Sequence, residues 1–207
     1  MNATLLSADA RAAVRDAVAR LERHTAAEIV VAVRYRSASY RHTDYLVGFA
    51  SALAALCALL FLPQEFDIIT WPLEVTLGFV AGAVVCAQLP GLKRIFTSRR
   101  AMNDEVARAA RAAFVDLGVT RTRARSGILV YVSMLEHRVE IVRDVGLDVL
   151  DDDEGWRSAL QKLEASIRRS GRDGFEKALE GLREPLARLL PRTEDDVNEL
   201  ADGVREP

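Results

Sequence analysis

Two long apolar runs dominate the pattern of hydrophobic and polar positions along the chain. Residues 45–62 and 73–89 are almost entirely apolar, and a short linker separates them. No lysine or arginine occurs between Arg41 and Lys93. At a rise of about 1.5 Å per residue, helices over these runs are roughly 27 Å and 25 Å long. The hydrocarbon core of a bilayer is about 30 Å thick, so the pattern predicts a transmembrane helical hairpin.

A helical hairpin buried in the core of a soluble domain is the alternative interpretation of the same runs. Apolar runs of about 10–14 residues favour such a core helix. These two runs are longer and lack a polar stripe, which makes them hard to bury in a chain of 207 residues. The membrane interpretation is therefore preferred.

The charges that flank the hairpin predict its orientation. Basic residues lie before the first run (Arg34, Arg36, Arg41) and after the second (Lys93, Arg94, Arg99, Arg100). The linker carries Glu65 and Asp67 and no basic residue. Because basic flanks stay on the cytoplasmic side, we expect an integral inner-membrane protein with both termini and the globular domain in the cytoplasm. The first 23 residues are charged and contain no signal-peptide-like apolar run, so the first span is expected to direct insertion.

Outside the hairpin, apolar residues alternate between helical and strand spacing. One predicted helix follows the candidate N-cap Ser7. A second, after the hairpin, follows the candidate N-cap Ser98 and ends at Gly118. The β-branched run 28–33 predicts a strand buried on both faces. Runs 128–132 and 139–142 are separated by a connection too short for a crossover, so they predict an antiparallel pair with the first run central.

The chain ends in further helices and a polar segment. One helix is predicted to open at 151–154, and a last helix covers 173–190 with a kink or break at Pro185. The predicted fold is therefore α+β, an α/β sandwich with a small mixed sheet covered by helices and an inserted transmembrane hairpin. Its parts are the first piece of the domain (1–44), the hairpin (45–89), the second piece of the domain (90–190) and an acidic disordered tail (191–207).

Small residues along the two runs predict close helix packing. Gly78 and Gly82 form a G-x-x-x-G motif, and Gly48, Ala52 and Ala55 share one face of the first run. Such faces let helix backbones approach closely in lipid. The preferred interpretation is packing within the hairpin, and dimerisation through Gly78 and Gly82 is the alternative.

The two cysteines of the chain, Cys57 and Cys86, both lie in the apolar runs. Their predicted depths in the bilayer differ by about 14 Å. A disulfide needs Cα atoms within about 7 Å, so no bridge between them is expected.

Motifs of common catalytic sites are absent from the sequence. It contains no phosphate-binding P-loop, dinucleotide fingerprint, H-E-x-x-H, C-x-x-C or G-x-S-x-G motif. His24, His42 and His137 are dispersed and lack metal-ligand spacing.

The best cation candidates are acidic residues near the predicted helix at 151–154. Hard cations such as Ca²⁺ and Mg²⁺ bind several oxygen ligands at once, and the weak candidates are Asp144, Asp148 and Asp152. The preferred interpretation of the group is helix capping and matching of the helix dipole.

A basic connection at Arg121, Arg123 and Arg125 is a candidate contact for anionic lipid headgroups or is simply solvated. Nucleic acid is not an expected partner, because the formal net charge is −2 and no aromatic residues interleave with these arginines.

Several segments resemble the TPM domain family. They are Leu6-Ser7, TAAEIVV at 25–31, GILVYVS at 127–133 and EHRVEIVRDVG at 136–146. The family includes thylakoid-lumen proteins linked to photosystem II repair and a modulator of acetylcholine receptors. The resemblance implies an α/β sandwich, divalent-metal binding and, in one branch, phosphatase activity. Glu28 and Asp144 match acidic positions of the family, but the inserted hairpin and the cytoplasmic placement depart from its pattern.

These observations favour a membrane-anchored accessory protein that binds an unidentified membrane-associated protein and lacks clear catalytic residues. Two alternatives stay open. One is a divalent-metal-dependent phosphatase that acts through the acidic residues. The other is a structural module that binds anionic lipid.

Overall fold

The computed structural model describes residues 7–62, 67–169, 171–192, 199–200 and 204–205. The chain divides into two compact units. A sheet unit consists of Met1–Ser37 and Asn103–Pro207, and a hairpin unit consists of Ala38–Met102. The sheet unit is therefore discontinuous in sequence, as the predicted insertion requires.

The described residues form α-helices and β-strands, which are numbered here in chain order. The helices are α1 (Ala8–Glu22), α2 (Arg41–Phe61), α3 (Trp71–Gln88), α4 (Pro90–Phe96), α5 (Arg99–Asp116), α6 (Glu154–Arg169), α7 (Gly171–Glu180) and α8 (Arg183–Leu189). The strands are β1 (Glu28–Arg34), β2 (Gly127–Ser133), β3 (Arg138–Arg143) and β4 (Val204–Arg205).

The strands form one mixed sheet in the order β3-β2-β1-β4. β1 and β2 are parallel over seven residue pairs, from Glu28 opposite Gly127 to Arg34 opposite Ser133. β2 and β3 are antiparallel, which confirms both that pairing and the central position of β2. The α+β class with a small mixed sheet is also confirmed.

Helices cover both faces of the sheet. Alternate residues of β1 and β2, such as Val31 and Val130, pack into a core that includes side chains of α1, α6, α7 and α8. The residues between them, such as Val30 and Leu129, pack with side chains of α5. β1 and β2 are thus buried on both faces, as their continuous apolar sequences predict.

Polar side chains and a glycine set the helix ends. Ser7 accepts a hydrogen bond from the backbone N–H of Ala10 at 3.2 Å, and Ser98 accepts one from Ala101 at 3.2 Å. Gly118 follows α5 with φ +69°, a backbone conformation that residues with a Cβ atom rarely adopt. All three positions agree with the sequence prediction.

The C-terminal part differs from the prediction in two places. The predicted last helix is interrupted at Gly181 and Leu182, and Pro185 lies in the first turn of α8, where a missing N–H is tolerated. In the predicted tail, Val204–Arg205 pairs with β1 rather than lying unstructured. Residues 193–198, 201–203 and 206–207 of that tail lie outside the described residues.

The hairpin unit contains two helices that are long and apolar enough to cross a membrane within the described part of the chain. They are α2, with 21 residues, and α3, with 18. α2 starts four residues before the predicted apolar run, at Arg41 rather than Tyr45. Only 11% of the most apolar window of each helix is buried. A core helix of a soluble protein would be mostly buried, so this low burial disfavours the soluble alternative.

Candidate functional site

The inner face of the hairpin is built from small residues. A Cβ added to Gly82 would lie 2.2 Å from Ser51 Oγ and 3.1 Å from the carbonyl oxygen of Val47. A Cβ added to Gly78 would lie 3.1 Å from the Cβ of Ala55. The G-x-x-x-G motif therefore packs α3 against α2 within one chain. Dimerisation through Gly78 and Gly82 stays a prediction, and it would have to displace this packing.

The outer faces of α2 and α3 carry large apolar side chains that are exposed. They include Tyr45, Leu46, Phe49, Leu53, Leu60, Leu73, Leu77, Val80 and Val84. Glu74 near the start of α3 accepts a hydrogen bond from Thr70 at 2.9 Å, so that carboxylate has a local partner. Both cysteines are free thiols, Cys57 exposed and Cys86 buried.

A buried polar cluster joins the start of α2 to α4. The ammonium of Lys93 lies 3.1 Å from Asp44 Oδ2, and the Lys93 residue is only 7% exposed. The hydroxyls of Thr43 and Thr97 form a buried hydrogen bond at 2.9 Å. In the sequence, Lys93 is one of the basic residues that follow the second apolar run. In the structure its side chain is buried, whereas those of the arginines that follow it are not. Arg94, Arg99 and Arg100 are exposed.

Asp144 has a structural role in the acidic segment. Its carboxylate is buried, and Oδ1 accepts hydrogen bonds from Arg125 Nε at 2.9 Å and from the backbone N–H of Val145 at 2.8 Å. It thereby caps a short 3-10 helical segment, Val145–Leu150. Asp144 is thus a capping residue, but of this short segment and not of the helix at 151–154 for which capping was predicted.

Asp153 caps α6, and arginine side chains pair with both Asp153 and Asp151. Asp153 Oδ1 accepts a hydrogen bond from the Trp156 N–H at 2.7 Å, and Oδ2 accepts one from Arg188 at 2.5 Å. The hydrogen bond from Arg188, followed by those from the backbone, lowers the pKa of Asp153. Asp151 pairs with Arg143 in the same way. These contacts agree with capping and charge pairing at the start of α6.

The three metal candidates do not converge. Asp144 is buried against Arg125, whereas Asp148 and Asp152 are exposed. Within the described residues, no group of three or more His, Cys, Asp or Glu side chains is placed to hold a metal ion. Binding of Ca²⁺ or Mg²⁺ at Asp144, Asp148 and Asp152 therefore stays a prediction without geometric support.

Glu28, the other residue that matches an acidic position of the TPM family, lies buried at the start of β1. Its two carboxylate oxygens accept hydrogen bonds from the backbone N–H groups of Glu199 at 3.2 Å and Leu200 at 3.4 Å. Glu28 thus holds the C-terminal segment that precedes β4.

A network of hydroxyls at the carboxyl end of β2 was not predicted from the sequence. Ser37 Oγ donates to Ser133 Oγ at 2.8 Å and lies 3.2 Å from the Tyr131 hydroxyl. Ser133 in turn donates to the Glu136 carboxylate, which also accepts from the Ser37 N–H at 3.0 Å. Because Ser37 donates to Ser133, the Tyr131 hydroxyl donates to Ser37. The result is a continuous chain of hydrogen bonds that ends on a carboxylate.

This network lies at the edge of the sheet where ligands commonly bind in open parallel sheets. Burial raises the pKa of Tyr131. Glu140 faces Tyr131 across the β2–β3 pair, and burial raises its pKa despite Arg138 and Arg111 nearby. The arrangement keeps a tyrosine and a glutamic acid in their neutral forms more readily than water does. Chemically, the network satisfies the hydrogen-bonding groups of the buried Tyr131 and Ser133 side chains.

Comparisons with known proteins give information about the fold of this chain and none about its chemistry. No protein-family model and no curated protein matches the sequence. Among solved structures, the chain is similar to the NMR structure of the BA42 protein from the psychrophilic bacterium Bizionia argentinensis sp. nov.. The TM-score is 0.58 at 17% sequence identity, and the match covers 97% of this chain and 94% of that one. At this identity, the similarity shows that the two proteins share a fold.

Proposed function

We propose that this chain is an integral membrane accessory protein whose sheet unit lies at the cytoplasmic face of the inner membrane and binds a membrane-associated protein. The observation that carries the proposal is the pair of helices α2 and α3. Small residues pack their inner faces together, while their outer faces present large apolar side chains that are exposed. Soluble monomers rarely expose apolar patches that extend over two helices, whereas lipid solvates them.

The strand pairing supports the same topology. β1 precedes the hairpin and β2 follows it, yet the two strands pair in parallel over seven residue pairs. Strands in one sheet must lie on the same side of the membrane, so an even number of crossings has to separate them. Two spans meet this requirement. The basic residues at both outer ends of the hairpin then favour the cytoplasmic side for the sheet unit.

A binding role for the sheet unit agrees with the contacts of its acidic residues. Asp144 and Asp153 cap helical segments, and Glu28 holds the C-terminal segment. Each of these carboxylates thus serves the fold. The resemblance to the TPM family adds the expectation of an accessory role beside membrane proteins.

Membrane insertion is tested by alkaline carbonate extraction and a reporter fused after Pro207. We expect the protein to stay in the membrane fraction and the reporter to be cytoplasmic. Extraction into the aqueous phase contradicts membrane insertion, and an external reporter signal contradicts the orientation.

Partner binding is tested by purification of the full chain in two mild detergents of different chemistry. The expected result is that the same membrane-associated protein is recovered in constant ratio from both. Recovery of this chain alone in both detergents contradicts the accessory role. Hydrolysis of a generic phosphomonoester that is abolished in Asp144→Asn would instead favour the phosphatase alternative.

A further inference from the structure

The short helix α4 is fixed beside the point where the hairpin leaves its apolar span. It follows α3 directly, and the ion pair of Lys93 with Asp44 and the hydrogen bond of Thr97 with Thr43 join it to the start of α2. Asp44 immediately precedes Tyr45, the first residue of the apolar run. The contacts therefore hold α4 at the level where a membrane-inserted hairpin meets the lipid headgroups.

The exposed side chains around α4 are of two kinds. Ile95 and Phe96 are 74% and 57% exposed. Arg94, which precedes them in α4, and Arg99 and Arg100, which begin α5, are exposed as well. A surface that combines apolar and basic side chains is typical of segments that lie in the interface of an anionic membrane.

Lys93 does not belong to this surface. It is buried, and its ammonium lies against the carboxylate of Asp44. Its ammonium is therefore shielded from lipid headgroups. The side chains of Arg94, Arg99 and Arg100 are exposed, so anionic headgroups can approach them.

We propose that Arg94, Arg99 and Arg100, with Ile95 and Phe96, form a site for the headgroups of anionic phospholipids in the bilayer that holds the hairpin. The apolar side chains enter the boundary between headgroups and acyl chains, and the guanidinium groups bind phosphate oxygens. Lys93 serves to position α4. This site depends on the proposed membrane insertion, and it specifies anionic phospholipids as the class of lipid that binds beside the hairpin.

The test measures lipid selectivity at Phe96 in the full chain reconstituted into vesicles. Phe96→Trp in a Trp71→Phe background places an indole in the site, while the remaining tryptophan, Trp156, is buried in the sheet unit. Quenching of the introduced indole is compared between brominated phosphatidylglycerol and brominated phosphatidylcholine. The ratio of the two gives the relative association of anionic and neutral lipid.

We expect phosphatidylglycerol to be preferred, and the preference to fall by about fivefold for each arginine replaced by glutamine at Arg94, Arg99 and Arg100. Added salt should reduce it as well. The matched control replaces three exposed arginines of the sheet unit by glutamine, namely Arg15, Arg23 and Arg183, and should leave the preference unchanged.

A double variant, Asp44→Asn with Lys93→Gln, separates positioning from binding. It removes the ion pair without leaving a buried charge, and the hydrogen bond between Thr43 and Thr97 still joins α4 to the start of α2. The preference for anionic lipid should therefore largely persist. Equal quenching by both lipids in the Phe96→Trp protein that keeps all of its arginines overturns the lipid site but leaves membrane insertion intact. If the double variant loses as much preference as the arginine variants do, Lys93 is not merely a positioning residue and the assignment of binding to the three arginines is overturned. Absence of quenching by either lipid overturns insertion itself, and the site with it.

Discussion

The substitution Gly82→Ala tests whether the small-residue face holds the hairpin together. The added Cβ would lie 2.6 Å from the Cβ of Ser51 and 2.2 Å from its Oγ. A new Ser51 rotamer can move the hydroxyl, but it cannot move the Cβ. Because carbon atoms pack at about 3.5–4.0 Å, the two helices must separate locally by about 1 Å.

The magnitude follows from two opposing terms. Overpacking of this kind costs about 1–3 kcal/mol. Replacement of glycine by alanine inside a helix returns about 1 kcal/mol through helix propensity. The net destabilisation therefore reaches about 2 kcal/mol, which is about a 30-fold increase in the equilibrium constant for hairpin opening.

The assay follows the alkylation rate of Cys86, which is fully buried, in a Cys57→Ser background and in detergent. The alkylation rate reports local opening of the hairpin unit. We expect Gly82→Ala to accelerate alkylation by up to about 30-fold. Gly91→Ala is the control, because a Cβ at Gly91 would meet nothing within 4 Å.

Ser51→Gly provides the decisive second variant. It removes both of the shortest contacts and leaves the carbonyl oxygen of Val47 at 3.1 Å from the new Cβ. In that background, Gly82→Ala should change the alkylation rate by much less, and the difference is the coupling between the two positions. Equal acceleration in both backgrounds would refute the proposed contact. So would an unchanged rate in Gly82→Ala itself.

Two further predictions concern the half-buried carboxyl group of Glu140 and the buried one of Asp144, and both are measured on the full chain in detergent. Burial raises the pKa of Glu140, so its charged form opposes folding at neutral pH. Glu140→Gln should therefore raise the thermal unfolding midpoint at pH 7, and the gain should vanish as the pH falls below about 4.3, the ordinary pKa of glutamate. A gain that does not change with pH contradicts this reasoning. Arg125→Gln leaves the carboxylate of Asp144, whose side chain is 2% exposed, without its cation. It should cost about 1–3 kcal/mol in urea unfolding, and adding Asp144→Asn should recover part of that loss, whereas additive losses would contradict the pairing.

The elements that the sequence predicts well are those that depend on local pattern. α2 and α3 follow from uninterrupted apolar length, and Gly118 marks a helix end because of its conformational freedom. β1 and β2 are recognised because β-branched residues fill both of their faces. In each case, the physical cause acts over a few neighbouring residues.

The features that the sequence does not predict depend on register between distant segments. Ser37 meets Ser133 only because β1 and β2 pair in parallel with Arg34 opposite Ser133. Nothing in either segment specifies that alignment. Lys93 has the same sequence signature as its neighbour Arg94, and only the approach of Asp44 from another helix buries it. β4, with two residues, is too short to carry a periodic pattern.

The position of the hairpin between β1 and β2 has a consequence for biosynthesis. During translation, β1 leaves the ribosome first, and its neighbour in the sheet does not exist until both spans and α5 have been made. The nascent chain must therefore carry an apolar strand with unsatisfied backbone groups while the hairpin is being made. If the hairpin inserts into a membrane as proposed, a delay at the translocation machinery prolongs that exposure. Faulty insertion is then expected to be followed by aggregation or proteolysis of the sheet unit, even though no residue of that unit has been altered.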